Sequence, residues 1–471
     1  MSLMQPTIAS IIGLPPTVAL LATVAFVFVL FWRDIRERPN VTKALWLPLV
    51  WMLLLGSRSV VLWLSALGIM KAGSVEEGNP LDALIYFSLI LAGICVLNQR
   101  QVSFSEVLRN NAWLMAFIAY CFIAIVWSDF PFVAFKRWIK VLGHPIMVLV
   151  LFTEPDPKEA LSRLVKRGAY VLLPFSICLI KYYPHIGRGY DEFGAATNFG
   201  VAHGKNQLGA LCLVIGFFLF WHWLNVWRAD KSKARRNELL LSSGLLVMIG
   251  WLLAKAHSAT SFLSLLVAVA VMLLVGRRWV NKKLIGTYVL LTVIAFVIAD
   301  LAFGIFSYLV LLTGHGATLM GRAELWRQLL AYHVNPVFGV GFESFWLGNR
   351  LDFFHEGRPW TPNEAHNGYL ETYLNLGLLG LFMLTGVLIA TFRKVRHQLS
   401  LNLDWARFRL GFLAAVVFYN WTEVSFRGLS LVWFAFYIIA MEYPGLGFAR
   451  AEPSFEPVGS EEELERNEVY V

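Results

Sequence analysis

The chain has 471 residues, of which 58% are hydrophobic and only 15% are charged, and its formal net charge is +9. A soluble globular protein has about 25% charged residues, so this chain has too little polar material to cover a water-facing surface. The composition excludes a soluble protein and indicates a polytopic membrane protein. The basic residues lie in short links between apolar blocks, as membrane topology signals do, so we expect no nucleic-acid partner.

Apolar blocks suited to membrane helices occur along almost the whole chain. Taking about 20 apolar residues as one span, we predict thirteen helices, the last two of them short. Their approximate ranges are 16–32, 44–64, 81–97, 112–127, 138–152, 169–183, 208–226, 239–253, 261–275, 284–312, 369–392, 410–421 and 429–442. The first block has no basic segment before it and is followed by Arg33, Arg36 and Arg38. It is therefore interpreted as a retained span with its N-terminus outside, not as a cleaved signal.

Basic residues concentrate in alternate links between these blocks. The positive-inside rule places such links in the cytoplasm. The basic links are 33–43, 100–109, 158–167, 228–236, 277–283 and 393–409, and the links predicted to be extracytoplasmic are 71–80, 128–137, 184–206, 255–260 and 313–366. The longest polar segment of the chain, 313–366, is thereby predicted to face away from the cytoplasm.

Five regions follow from this pattern. They are N-terminal membrane helices in 1–126, core membrane helices with short outer loops in 127–312, a large periplasmic loop in 313–367, C-terminal membrane helices in 368–445, and a tail in 446–471. The tail is acidic and contains two prolines after residue 450, so we expect a disordered cytoplasmic extension.

The four cysteines lie inside apolar blocks and form no CxxC pair. They are Cys95, Cys121, Cys178 and Cys212. Thiols in such positions usually behave as small hydrophobic side chains, so the sequence supports neither a disulfide framework nor a zinc site.

The polar segment 313–366 is the part of the chain in which we expect chemistry, because polar loops of this length are more often functional than not. Apolar spacing in 323–333 predicts an amphipathic helix on the membrane surface, with Arg322 at its beginning. Gly339-Val-Gly341 forms either a tight turn or a backbone nest for phosphate. His366, where the chain re-enters the membrane, is either a general base or phosphate ligand, or a capping or interfacial histidine.

Three motifs of this segment carry a resemblance to a known family. The motifs are TLMGRAELW, NPVFGVGFESFW and EAHNGYLETYLNLGLLGLFML. They are similar to the signature region of the O-antigen ligase and polymerase superfamily, and within it they most resemble the exopolysaccharide polymerase branch. WSDFPFVAFKRWIKVLG, HGKNQLG, AHSATSF and NWTEVSF agree, so the resemblance covers 127–443. It implies an all-α, GT-C-like membrane glycosyltransferase fold with about 12–13 transmembrane helices and one large extracytoplasmic loop. The family usually has twelve spans, which would make the first helix here an additional one.

The resemblance also implies an activity. Such proteins transfer a glycan from a polyprenyl diphosphate carrier to a sugar hydroxyl at the outer face of the bacterial cytoplasmic membrane, without a metal or another cofactor. The expected partners are the lipid-linked oligosaccharide, a glycan acceptor, the bilayer and other polysaccharide export proteins. Polymerisation of exopolysaccharide repeat units is the first expectation, and ligation to lipid A-core is the alternative, since the two reactions differ in the acceptor.

A transporter is the rival interpretation from a different functional class. It predicts Gly/Pro-broken helices in matched halves, with ionisable groups near the middle of the membrane. The polar residues of this chain collect instead in one outward segment.

By the resemblance, Arg322 and His366 are the principal catalytic candidates. An arginine suits the charge that develops on a departing diphosphate, because its guanidinium is planar and permanently charged. Glu364 would deprotonate the acceptor if His366 does not. Asn367 and Glu423, near the same outer face, are further candidates.

Several basic residues at the predicted outer face are candidates for binding diphosphate, although each is also explained as an interfacial side chain. They are Lys136, Arg137, Lys205, Lys255 and His257. One position departs from the family, many of whose members have a Ser-Arg pair where this chain reads Ser258-Ala259-Thr260-Ser261. That role is empty here or passes to Lys255 or His257.

Overall fold

The computed structural model describes residues 14–71, 78–190, 194, 196–304, 316–356 and 362–443. Within them the chain is almost entirely helical, which confirms the predicted all-α fold. The helices are α1 Pro16–Arg36, α2 Trp46–Gly56, α3 Val60–Ala66, α4 Pro80–Gln99, α5 Phe104–Asn110, α6 Ala112–Ile123, α7 Pro131–Phe152, α8 Pro157–Tyr182, α9 Pro184–Gly187, α10 Lys205–Arg228, α11 Lys233–Ala256, α12 Ala259–Val275, α13 Ile285–Phe303, α14 Gly316–Ala331, α15 Asn349–His355, α16 Gly368–Gln398, α17 Leu403–Tyr419 and α18 Leu431–Ala440. Short 3₁₀ turns precede α2 and α13, and β1 Arg188–Tyr190 pairs antiparallel with β2 Ala196–Asn198.

Each predicted apolar block contains a helix, but several boundaries were wrong. Block 44–64 is two helices, α2 and α3, whose axes differ by 55°. Helices α7 and α8 begin at Pro131 and Pro157, well before the predicted residues 138 and 169, because proline in the first turn starts each helix within a polar stretch. Block 284–312 is helical as far as Phe303, and its remainder after Gly304 lies outside the described residues.

Five described helices are long and apolar enough to cross a membrane, namely α1, α4, α10, α11 and α16, and the bent pair α2–α3 would make a sixth. Helices α7 and α8 have the length but carry several charged residues. The chain is a polytopic membrane protein. The count of twelve to thirteen spans stays a prediction.

The polar links meet in two groups, one at each end of the helical bundle. The links predicted to be cytoplasmic contact one another through Arg33–Glu238, Arg163–Asp34, Asn225–Asp404 and Lys394–Asn111, and we call this the basic end. The other links contact one another through Ser128–Ser344, Asp129–Arg350, Asn198–Lys255 and Thr260–Thr422, and we call this the loop end. The grouping agrees with the predicted alternation of sides. Which end faces the cytoplasm stays a prediction.

The core lies around α18, in which every residue from Leu431 to Ala440 is buried. Helix α10 is buried throughout 208–219, and Phe217 stacks on Phe408 of α17. By contrast, α1 exposes large apolar side chains such as Leu21 and Phe28, each with 69% of its surface accessible. An exposed apolar surface of this kind is expected of a helix that faces lipid.

Candidate functional site

Helix α16 is broken at Gly377, and a segment of the long loop occupies the break. Gly377 has φ 65° and ψ −166°, far from helical values. The N–H groups of Leu378 and Leu379 donate to the carbonyls of Pro336 and Val337, at 2.8 and 3.1 Å. The backbone groups that the break removes from the helix are therefore satisfied by the loop, as groups inside a membrane protein must be.

The other side of the break is closed in the same way. The amides of Val340 and Gly341 donate to the carbonyls of Leu374 and Asn375, at 3.1 and 2.9 Å. The amide of Gly339 donates to the carbonyl of Asn335. Of the two predicted roles for Gly339-Val-Gly341, the structure supports the turn, because these amides already bond to carbonyls and form no phosphate nest.

Two polar side chains of α16 hold both limbs of the loop. The Asn375 Oδ1 accepts hydrogen bonds from the amides of Ser344 and Phe345, at 2.8 and 3.0 Å. One turn earlier, the buried Glu371 carboxylate accepts from Trp346 Nε1 at 3.0 Å and from the amide of Ala365 at 2.8 Å. Glu371 thereby fixes the position of the chain between Glu364 and His366.

Helix α14 differs from the predicted amphipathic helix in extent and in what its apolar face contacts. It extends over Gly316–Ala331, whereas the sequence predicted 323–333. Leu325 and Leu329 are buried in a small core of the loop with Phe354 and neighbouring apolar residues, instead of facing the membrane surface. This packing holds the second half of α14 beside residue 365, since Trp326 Nε1 donates to the Ala365 carbonyl at 2.7 Å.

Five ionisable side chains meet at the loop end, and we call them the charged cluster. Arg322 Nη2 lies 2.7 Å from Glu423 Oε1, and its Nη1 donates to the Thr422 carbonyl. His366 Nδ1 lies 3.1 Å from Glu364 Oε1 and 3.7 Å from Glu423 Oε2. Arg427 Nη2 lies 2.6 Å from Glu364 Oε2. Positive and negative side chains therefore alternate through the cluster, in the spatial order Arg322, Glu423, His366, Glu364 and Arg427.

The environment of the charged cluster keeps its histidine protonated and its carboxylates ionised. Burial alone would lower the pKa of His366, but the charge of Glu364 and hydrogen bonding to both carboxylates raise it to about 9. Burial alone would raise the pKa of Glu364, but Arg427 and His366 lower it to about 2. Burial opposes ionisation of Glu423 as well, and Arg322 lowers the pKa of that carboxyl. Three cations and two carboxylates leave one excess positive charge, which suits an anionic ligand.

Glu364, His366 and Glu423 offer ligand atoms that all lie within 4.8 Å of one another, a spacing that a metal ion could use. A metal-bound histidine must be neutral. Here His366 is held in its charged form, and each carboxylate is already paired with an arginine. The donor set therefore fits an anion better than a metal cation.

Comparison with known proteins finds two similarities. The family described as O-Antigen ligase matches residues 244–385. The chain is also 28% identical, over 325 residues, to the exopolysaccharide production protein ExoQ of Rhizobium meliloti (strain 1021). The aligned residues make up 64% of this chain and 70% of that protein. Over these regions the chain is similar to O-antigen ligase and exopolysaccharide production proteins. The residues matched by the family include Arg322, Glu364 and His366, whereas Glu423 and Arg427 follow them.

Two further predicted site residues, Arg137 and Asn367, contact the segments that carry the charged cluster. Arg137 Nη1 donates to the Glu343 carbonyl at 2.5 Å, and the Glu343 carboxylate accepts from the amide of Gly428, next to Arg427. Asn367 caps α16, accepting from the amides of Tyr369 and Leu370 at 3.0 Å each. The capping role that the sequence offered as an alternative for His366 therefore belongs to Asn367.

The described contacts of the remaining basic candidates are with residues outside the charged cluster. The Lys136 ammonium lies 4.9 Å from the centre of the Phe132 ring, and Lys205 is the first residue of α10. Lys255 and His257 are exposed at the end of α11, and neither forms a described hydrogen bond or ion pair with the charged cluster.

The start of α12, where the resemblance would place an arginine, does lie beside the charged cluster. Thr260 Oγ1 is 2.7 Å from Thr422 Oγ1, and the Thr422 carbonyl accepts from Arg322. The second guanidinium of the site comes instead from Arg427, on the link between α17 and α18.

Sequence reasoning missed three residues, and each had a signal. Arg427 directly follows the NWTEVSF motif, and a cation in a short outer link runs against the positive-inside trend. Glu343 lies within the NPVFGVGFESFW motif. Glu371 is an acidic residue in the first turn of an apolar helix, where an ionisable group warrants a functional or structural partner.

Proposed function

We propose that this protein is a membrane glycosyltransferase that moves a glycan from a polyprenyl diphosphate to a sugar hydroxyl, and that it polymerises exopolysaccharide repeat units. The charged cluster carries the proposal, since it holds two guanidiniums and a protonated imidazole at one place on the loop end. The similarity to an exopolysaccharide production protein supports the choice of polymer. The loop end is then the periplasmic side of the inner membrane.

In this reaction the acceptor hydroxyl oxygen forms a bond to the anomeric carbon. The bond from that carbon to the diphosphate oxygen breaks, and its electron pair leaves with the diphosphate. Arg322 and Arg427 face the developing negative charge, and a preorganised donor of this kind contributes about 3 kcal/mol to the transition state. The paired carboxylates of Glu423 and Glu364 hold both guanidiniums in place before the donor arrives.

The acceptor proton requires a base other than His366. With a pKa of about 9, His366 already carries its proton at neutral pH and cannot accept another. We assign it to hydrogen bonding and charge stabilisation, and we assign the hydroxyl proton to the carboxylate of Glu364 or Glu423. The sequence analysis proposed Glu364 as the base in the case that His366 does not deprotonate the acceptor.

We further propose that transfer needs no divalent metal, because the three cationic side chains supply the positive charge that a metal would otherwise provide. Purified protein should retain its transfer rate in excess chelator. A rate abolished by chelator and restored by added Mg²⁺ or Mn²⁺ would contradict this part of the proposal.

Ligation of a finished polysaccharide to lipid A-core is the second candidate, and the description of the matching family favours it. It uses the same donor chemistry with a different acceptor. Incubating purified protein with a lipid-linked donor and either a second lipid-linked repeat unit or lipid A-core distinguishes the two reactions.

The first test is complementation of a matched polymerase-deficient strain with the wild type, Arg322→Ala, Arg427→Ala and His366→Gln. Each variant should yield single repeat units in place of polymer, with protein inserted at the wild-type level by immunoblot. Arg327→Ala is the matched control, since Arg327 lies on the same helix with 77% of its side chain exposed and pairs with Glu324. Wild-type polymer from Arg322→Ala would overturn the proposal.

A further inference from the structure

A pair of adjoining cavities lies at the basic end, remote from the charged cluster. Their volumes are about 160 and 480 Å³. They share Trp113, Ala390 and Lys394 and so form one groove between α6 and α16. The larger part lies within the size range of small-molecule sites.

The wider part of the groove is apolar and opens to the outside of the bundle. Its walls include Phe382 and Ile389, with 59% and 52% of their surface exposed. Trp113 lies directly over Gly386, where a Cβ would come within 2.1 Å of the indole, and its ring meets Phe382 edge-on at 5.8 Å. An apolar channel on the outer face of a membrane helix pair is shaped for a hydrocarbon chain.

The end of the groove that lies nearest the basic end is cationic, and its basic residues come from both cavities. Arg109 lines one cavity, Arg393 lines the other, and Lys394 lines both. Lys394 is held in place by Asn111 Oδ1 at 3.0 Å and the Ala440 carbonyl at 3.1 Å. Arg109 and Arg393 are exposed, and among the described residues no carboxylate pairs with either of them.

We propose that this groove binds one anionic phospholipid, with its phosphate at Arg109, Arg393 and Lys394 and an acyl chain along Trp113, Phe382 and Ile389. Arginines bind phosphate oxygens through two parallel N–H groups. Basic pockets between membrane helices recognise anionic headgroups in this way. A soluble anion would bind only to the basic residues and would leave the apolar channel empty. The combination of basic residues and an apolar channel therefore fits a lipid better than a soluble anion. The proposal is independent of the proposed transferase activity.

Lipid binding can be measured directly on the purified full-length chain. Detergent-solubilised protein is titrated with phosphatidylglycerol or phosphatidylcholine, and retained lipid is counted by native mass spectrometry. The wild type should retain phosphatidylglycerol preferentially. The double variant Arg109→Gln/Arg393→Gln should lose about thirtyfold in that affinity, since each basic residue near an anionic lipid contributes about fivefold.

One control variant and one variant of the apolar channel test whether binding depends on this groove. Arg277→Gln/Arg278→Gln removes two exposed arginines from another link of the basic end and should leave phosphatidylglycerol binding unchanged. Thr385→Trp, at an exposed position in the channel, should block the acyl chain and weaken binding while both arginines remain. Equal retention of the two lipids by the wild type, unchanged binding in the Arg109/Arg393 variant, or full displacement by glycerol phosphate would each overturn the proposal.

Discussion

His366 shows how the charged cluster determines the state of a single residue. Its φ of 46° lies in the left-handed region, which a residue with a side chain adopts at a cost of about 1–3 kcal/mol. The strain is sustained because Glu371 holds the amide of Ala365 and Asn367 caps the following helix. The same geometry places the imidazole between two carboxylates, which keeps it charged.

The charge on His366 makes the stability of the fold depend on pH. The pKa of His366 rises from 6.5 to about 9 on folding. Its pairing therefore stabilises the fold fully below pH 6.5, and this contribution is lost as the pH rises through about 9. Wild type should be more stable than His366→Gln at neutral pH, and the difference should shrink above pH 9, by thermal unfolding in detergent.

His397→Gln, an exposed histidine at the basic end, is the control for that experiment and should follow the wild type at every pH. The contribution of Glu364 to stability has the opposite pH dependence. Its stabilisation is present above pH 4.5 and is lost as the pH falls through about 2. A stability difference between wild type and His366→Gln that grew with pH would contradict the assignment of a charged imidazole.

At the scale of elements, the break in α16 connects the long loop to the membrane helices. The loop segment 336–341 and residues 374–379 of the helix exchange backbone hydrogen bonds, so neither is complete without the other. A helix with a continuous hydrogen-bond ladder would have no groups to offer the loop. The glycine at the break therefore determines where the loop docks.

Gly377→Ala tests this role. A Cβ at Gly377 would lie 2.2 Å from the Val337 carbonyl group, and its φ of 65° disfavours any side chain. We expect a loss of about 2 kcal/mol or more in stability, measured by chemical unfolding in detergent, together with loss of transfer activity. Gly250→Ala is the matched control on α11, where a Cβ would meet nothing within 4 Å.

The control should be neutral or slightly stabilising, because alanine has the higher helix propensity. If Gly377→Ala were as stable and as active as Gly250→Ala, the docking of the loop would not depend on the break.

At the scale of the whole molecule, the polar links are sorted to two ends of one bundle. The charged cluster and the loop are at one end, and the ion pairs among basic links, such as Arg163–Asp34, are at the other. We expect the loop end to face the periplasm and the basic end to face the cytoplasm.

Single cysteines report this orientation in intact cells. Arg327→Cys at the loop end should react with a membrane-impermeant maleimide, whereas Lys231→Cys at the basic end should react only after the cells are permeabilised. Both positions are exposed, and the unsubstituted chain with its four native cysteines gives the background. The reverse labelling pattern would show that the predicted orientation is inverted.

Features that depend on local pattern could be predicted from the amino-acid sequence. Apolar blocks of membrane length predicted the helices, and alternating basic links predicted which links share an end, because both follow from contacts of each segment with lipid and water. Motifs close together in the chain carried the family resemblance and led to Arg322, Glu364 and His366. Each of these conclusions needed only residues that are close together in the sequence.

The way in which distant segments combine became visible in the three-dimensional structure. The pairing of Arg322 with Glu423, 101 positions later, and the addition of Arg427 depend on packing between the loop and the link after α17. The charge on His366 depends on two carboxylates from different segments. The break in α16 was hidden because its sequence, LNLGLLGL, has the composition of an ordinary membrane helix. Its geometry is set by hydrogen bonds to the loop, and no local pattern records such bonds.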